Sequence, residues 1–450
     1  MESKQGLSSR GVSWAKFFIC SIIGIFMFFV SIPLTVGEVT RNTIPLDHLH
    51  HLARFLVGPM PTGRQQIVAL IIMIIGAAYP FITRTWKQDS MQLTFTIFKI
   101  LGAMAGIMHV FGLGPGFLHG GNFLPFLFNV LCVPLAFLIP IGSLFLYFLT
   151  NYGLMEFVGT YLQPVMRKLW RTPGRSAVDA VASFIGSYAL SMLITDKLYQ
   201  EGKYTKQEAA IILTGFSTVS VTFLVVVANA YGIMDRWNFF FWTTLLVTFA
   251  VTAVSARIYP ISKIPREYYE LATPTQEEVV KSKRFSSSLE SALRVAASSG
   301  NVFTNMLASF KAGCRMITTI LPTIMSIGLL GMIAAEFTPI FDIIGLIFFP
   351  FAWLVQLPEA LLAAQALATG IIEMFLPAAF IDIENHSLQT RYVVAVSGVS
   401  AVIFFSAVVP CILSTKIPFK VSQLVIIWAQ RLTLSILFSG AIAFLFLRVS

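Results

Sequence analysis

Charge is what this sequence has least of. Only 12% of its 450 residues are Asp, Glu, Lys or Arg, while 56% are hydrophobic; a soluble chain carries about 25% charged residues. That shortage excludes a soluble globular enzyme, and the apolar content excludes a disordered chain. Cysteine is scarce as well. Cys20, Cys132, Cys314 and Cys411 stand singly in or beside apolar segments, without metal-ligand or redox spacing, so they read as packing residues and not as a disulfide scaffold. No Walker loop, nucleotide fingerprint or glycine-rich phosphate cradle occurs, so this chain alone is not expected to hydrolyse ATP. Nor do paired carboxylates, a His-x-x-Glu-His-like set or a Ser/His/Asp grouping fall within the apolar stretches, and no catalytic residue is expected. The net charge of +10 comes without basic runs interleaved with aromatics, which argues against nucleic acid as a partner.

What is present is a succession of long apolar runs, with a mean hydropathy of +0.79. Nine of them, near 14–36, 66–83, 91–112, 123–150, 208–234, 238–259, 312–335, 391–415 and 421–447, read as membrane spans. The first follows Arg10 and Lys16 but lacks a small-x-small cleavage site, so it reads as an uncleaved span. Two further stretches, 175–197 and 358–381, are unusually rich in small residues. Eight of the fifteen residues from Ala177 to Ser191 are Ala, Gly or Ser, and six of the eleven from Ala360 to Gly370 are Ala or Gly. Small residues let backbones approach closely.

Flanking charge identifies both stretches as re-entrant hairpins. Arg167, Lys168, Arg171 and Arg175 precede the first, and Lys197, Lys203 and Lys206 follow it, so both of its ends belong in the cytoplasm. Glu359 precedes the second, and Asp382 and Glu384 follow it, which fits the outside. On this topology 22 basic residues lie inside and six outside, with the N-terminus cytoplasmic.

The two hairpins also sit in matching surroundings. From Pro173 to Gly186 is thirteen residues and from Pro358 to Gly370 twelve; from Gly186 to Ser217 is thirty-one and from Gly370 to Ser400 thirty. The expected fold is therefore an all-α polytopic membrane protein of about nine transmembrane helices and two re-entrant helical hairpins, in two inverted units. Residues 1–122 form an N-terminal three-helix region, 123–259 the first unit, 260–300 a cytoplasmic linker with a short amphipathic helix, and 301–450 the second unit. Inverted units with discontinuous elements are an architecture of secondary transporters, whose solute site lies between the units. The alternative is a membrane assembly or regulatory protein that does not transport.

The segment Gly174-Arg-Ser-Ala-Val-Asp-Ala-Val-Ala-Ser-Phe-Ile-Gly-Ser-Tyr-Ala189, continuing to Asn229, resembles a Gate domain, also called the nucleoside-recognition domain. Ser21-Ile-Ile-Gly-Ile-Phe-Met-Phe-Phe and Asn42-Thr-Ile-Pro45 make the whole chain similar to the YjiH-like proteins of bacterial inner membranes. The resemblance implies a core related to concentrative nucleoside transporters, with both units of Gate type, and a bacterial inner-membrane location. It delivers no substrate, because the nucleoside and sodium signatures of those transporters have no residue-level match here.

Ionisable and hydroxyl side chains in the spans supply the candidate site. Glu373, just past Gly370, reads as a cation ligand, proton carrier or partner of a substrate amine; a pair with Arg431, structural or part of a gate, is the competing reading. Gln365 and Thr369 are four apart beside it, and Ser183 and Ser187 are four apart on the first hairpin. Ser217, Thr218 and Ser220 cluster in the next span, with Asn229 further along. Such hydroxyls suit a polar solute or sodium, although Ser and Thr in membrane helices also bond their own backbone or glue helices together. Asp179 is expected to pair locally with Arg175, and Lys99 to snorkel. Asp47, His48, His50 and His51 form the most metal-like cluster, but Leu46, Leu49, Leu52 and Leu56 give their segment an amphipathic pattern, so a wet polar face is the simpler account and no metal is expected. The expected reading is a secondary transporter of a small polar metabolite (nucleoside-like, amino acid or dipeptide), coupled to Na+ or H+ and using no other cofactor. Its partners are the lipid bilayer and the solute, and a homo-oligomer is compatible with the sequence.

Overall fold

The computed structural model describes residues 2–36, 39–58, 63–87, 90–120, 123–185, 188–274, 284–413 and 415–447. It is almost wholly helical. After α1 (Glu2–Phe29) a short antiparallel pair, β1 (Ile32–Val36) and β2 (Val39–Thr43), pairs Ile32 with Thr43 and leads into α2 (Pro45–Val57). This pair departs from the all-α expectation; the β-branched Ile32 and Thr43 at its open end favour the extended chain. α3 (Gly63–Thr83) and α4 (Ser90–Phe111) follow, then α5 (Val133–Thr150), entered through a π-helical turn at Phe126–Cys132. The chain continues through α6 (Leu154–Val165), α7 (Ser176–Ile185), α8 (Tyr188–Gln200), α9 (Lys206–Gly215), α10 (Val221–Ala230) and α11 (Trp237–Ser255). α12 (Arg284–Ser298) precedes the long α13 (Val302–Phe337), and then come α14 (Ile340–Leu354), α15 (Ala360–Thr369), α16 (Leu388–Ala401), α17 (Val408–Leu413) and α18 (Val421–Leu447).

Among the described residues six helices are long and apolar enough to cross a membrane: Gly63–Thr83, Gln92–Phe111, Phe126–Leu149, Met234–Ser255, Val302–Phe337 and Val421–Leu447. The chain is a multi-pass membrane protein. α3 and α4 lie against α13 at two glycines. A Cβ on Gly76 would stand 1.7 Å from the Thr318 carbonyl oxygen, and one on Gly102 would stand 1.8 Å from that of Pro322. Only glycine permits such backbone contact. The amphipathic α12 packs on α6 and α1, burying Ala292 and Ala296 with Phe17.

Two runs that read as continuous spans are broken. The 208–234 run stops at Gly215 and resumes at Val221, where Ser220 caps α10 by accepting from Phe223 N at 3.3 Å. The 391–415 run stops at Ala401, and Val402 takes a left-handed φ of 65° before α17 starts at Val408. The small-residue stretch 358–381 is also less regular than a helical hairpin. Only α15 is α-helical; after the turn at 370–375 the chain forms a 3-10 turn, Leu376–Phe380, whose Pro377 lacks the N–H that a longer helix would use.

Candidate solute site

Each break is bonded to the small-residue stretch before it. Ser183, near the end of α7, donates its hydroxyl to the Thr218 carbonyl in the first break at 3.1 Å. In the second, Phe405 N and Ser406 N donate to the carbonyls of Ile371 and Ile372, at 2.8 and 2.9 Å. Unwound backbone in a membrane is tolerated only where such bonds replace the helical ones.

One network joins the two breaks through α11. Arg431 of α18, fully buried, bonds the Ser400 carbonyl through Nη2 at 2.8 Å and the Ala401 carbonyl through Nε at 3.2 Å. Both carbonyls lie at the end of α16, where a cation meets the negative end of the helix dipole; that of Ala401 also accepts from Ile403 N at 2.7 Å. Nη1 bonds Thr252 Oγ1 at 3.0 Å, and that hydroxyl faces the carbonyl of Gly215, the last residue of α9, at 3.0 Å. Thr248 Oγ1 donates to Ser400 Oγ at 3.0 Å. The competing reading of Glu373, an ion pair with Arg431, is therefore not formed: two carbonyls at the α16 end and the Thr252 hydroxyl of α11 hold the guanidinium.

Glu373 sits where the turn after α15 meets the second break. It is buried, accepts from Ser406 Oγ, and lies 3.5 Å from Phe375 N. It lines a cavity of about 550 Å³ together with Ser220, Tyr188 and Phe404. On the cavity's exposed side are Lys99 and Gln92 of α4 and Arg315 and Thr319 of α13, with Lys99 Nζ 3.4 Å from Thr319 Oγ1. A buried carboxylate thus faces an opening whose rim carries two cations.

Of the expected residues, the cavity brings together Glu373 and Ser220. Thr218 contributes its carbonyl to the Ser183 bond, and its hydroxyl has no hydrogen-bond partner among the described residues. Ser217 and Thr369 bond main-chain oxygens of their own segments, Ile212 at 3.4 Å and Ala366 at 2.7 Å. Gln365 packs against Gly345 of α14 and does not line the cavity. Ser187 lies outside the described residues. Asn229 turns away from the hydroxyl cluster and donates to Asp47 Oδ1 at 3.0 Å. Asp179 is held by the Tyr204 hydroxyl at 2.5 Å. The sequence reading missed Ser406, whose only signal is a hydroxyl inside the apolar run 391–415. It left Lys99 to snorkel and gave Arg315 no role, and both become relevant once α4 and α13 frame one opening.

Residues 132–234 match the Gate family, described as nucleoside recognition. The chain is 34% identical over 447 residues to the uncharacterized protein BpOF4_10220 of Alkalihalophilus pseudofirmus, an alignment spanning 96% of this chain and 95% of that protein. Among solved structures, CNTnw in an outward-facing state aligns with a TM-score of 0.39 at 14% identity, over 96% of this chain and 100% of that one. CNTnw in an intermediate state aligns with a TM-score of 0.43 at 14% identity, over 95% and 99%.

Proposed function

Because the chain belongs to the family of BpOF4_10220 and carries a Gate domain, we propose that it is a secondary-active transporter of a small polar metabolite, working by alternating access and coupled to Na+ or H+. The observation that carries this reading is Glu373. A carboxylate is costly in a membrane protein interior and marks an ion or solute path. Here it has one hydroxyl donor, stands between two unwound segments, and faces a cavity of a size that suits a small solute. A cation, a proton or a solute ammonium completes its shell. With Lys99 and Arg315 on the exposed side and Glu373 on the buried side, the cavity has poles of opposite sign, which suits a zwitterion such as an amino acid or dipeptide better than a nucleoside.

In this reading 123–259 and 301–450 are inverted units, each with a re-entrant hairpin whose movement against its broken helix opens one side. The N-terminus is cytoplasmic, in a bacterial inner membrane. The hairpins are the gates, and Arg431 with Thr252 couples the breaks.

The test is a thermal-shift screen of purified protein against amino acids, dipeptides and nucleosides, with sodium and pH varied, followed by uptake into proteoliposomes. The expected result is stabilisation by one solute class, lost in Glu373→Gln, and saturable uptake driven by an ion gradient. A stable protein that responds to no solute and takes up none overturns the proposal in favour of the assembly or regulatory role.

A further inference from the structure

α2 is built the wrong way round for a wet amphipathic helix. Leu52, Phe55 and Leu56 are exposed, at 51, 66 and 75%, whereas Asp47 and His50 are 1 and 3% exposed. The apolar face points out, and the acidic and imidazole groups point into the protein. That overturns the reason for dismissing this segment as a polar surface.

Inside, the spacing converges. Asp47 and His50 are three residues apart and Asp47 and His51 four, so all three share one helix face. Asp47 Oδ1 is 3.8 Å from His50 Nδ1, and Oδ2 is 3.6 Å from His51 Nε2. One ligand atom from each of the three lies within 4.8 Å of the others. In a tetrahedral zinc site the ligand atoms stand about 3.4 Å apart, so rotamer adjustments close this set around an ion without moving the helix.

Two observations beyond the spacing point to a ligand. First, His50 is almost fully buried and neither of its ring nitrogens makes a hydrogen bond among the described residues. A buried imidazole left bare on both nitrogens is costly. The Pro134 carbonyl of α5 lies beside the ring and can accept from whichever nitrogen an ion leaves free. Second, Asp47 is oriented from outside the set by Asn229 of α10, which donates to Oδ1 at 3.0 Å. Outer hydrogen bonds of this kind aim metal-binding side chains. His48 is not part of the set: its Nε2 lies 3.0 Å from the Ile32 carbonyl and 3.4 Å from Thr43 Oγ1, tying α2 to the β-pair.

We infer that Asp47, His50 and His51 form a binding site for a divalent transition-metal ion, Zn2+ by ligand type, seated between α2 and the end of α10. Two imidazoles and one carboxylate suit a borderline ion of this class and leave further coordination positions open. His51 is the least buried of the three and marks the side from which water or a second ligand enters. Through Asn229 the ion is linked to α10, the second half of the first broken helix. The site is separate from the Glu373 cavity and stands whether or not that cavity carries solute.

The test uses the full chain in detergent, its affinity tag removed and the protein treated with chelator, titrated with Co2+ and then Zn2+. One Co2+ per chain is expected, with a visible absorption band that stoichiometric Zn2+ abolishes. His51→Ala, at the most accessible ligand, is expected to weaken binding at least about 100-fold, and Asn229→Ala about 10- to 100-fold. His48→Ala is expected to leave it within about twofold. Should Asp47→Asn or His50→Ala fail to fold, His51→Ala still decides. Absence of stoichiometric Co2+ from folded wild-type protein, or binding unchanged in His51→Ala, overturns the site.

Discussion

Arg431 Nη1 bonds Thr252 Oγ1 at 3.0 Å. Through this contact a buried cation on α18 reaches from the end of α16 to a hydroxyl that faces the end of α9. The two helix breaks are thereby parts of one polar network.

Arg431→Met removes the cation and leaves the Ser400 carbonyl without its donor, while that of Ala401 keeps only Ile403 N. A loss of about 2–4 kcal/mol is expected, read as a lower unfolding temperature of purified protein. Arg431→Lys keeps the charge but cannot span three acceptors, and should fall between wild type and Arg431→Met. Equal stability of Arg431→Met and wild type would remove the network from the account of the fold.

Ser406 is the hydroxyl donor to Glu373. Ser406→Ala should leave the fold intact and weaken solute-dependent stabilisation about tenfold, since a hydrogen bond to a charged group contributes roughly 1.5–3 kcal/mol. Glu373→Gln should abolish that stabilisation. If Ser406→Ala binds solute as well as wild type, the second break does not shape the site.

At Gly102 the α4 backbone rests on the Pro322 carbonyl. Gly102→Ala must push α4 away from α13, for a cost of about 1–3 kcal/mol, although alanine is the better helix former. An unchanged or raised unfolding temperature would show that the two helices do not cross so closely. Gly63→Ala, with nothing within 4 Å of its new Cβ, is the control and should be close to neutral.

Glu359, in the loop before α15, provides the pH dependence. Burial acts to raise its carboxyl, but the side chains of Thr390 and Ser387 and the Ser387 N–H outweigh that and bring it below the ordinary 4.5; Ser387 Oγ donates at 2.7 Å. A lowered value means that the contribution is complete above pH 4.5 and is lost as pH falls through the folded-state value. Wild type should therefore lose more stability than Glu359→Gln on acidification from pH 6 to pH 3. At neutral pH the gap between them should be at most about 1 kcal/mol, because the group is only partly buried and solvent screens it. Parallel pH profiles for the two proteins would contradict this.

Much of the scaffold was legible in the chain itself. The 66–83, 91–112, 123–150, 238–259, 312–335 and 421–447 runs all became membrane-length helices, because a long apolar run without charge has few other states in lipid. The small-residue stretch 175–197 became α7 and α8. Glu373 was singled out because a carboxylate amid apolar residues is conspicuous in sequence.

The breaks were hidden. Ala401-Val-Ile-Phe-Phe-Ser406 contains neither glycine nor proline and has the composition of a continuous helix. What stops it is the Arg431 fork on one side and the bonds to Ile371 and Ile372 on the other, all from residues distant in sequence. For the same reason a pair with Glu373 stood as the competing reading for Arg431, Ser406 was overlooked, and Asp47 and His50 were placed in water. Hydropathy and periodicity are local properties, and they determined which segments enter the membrane. Which polar groups meet there depends on long-range hydrogen bonds that replace lost solvation, and only the tertiary structure decided that.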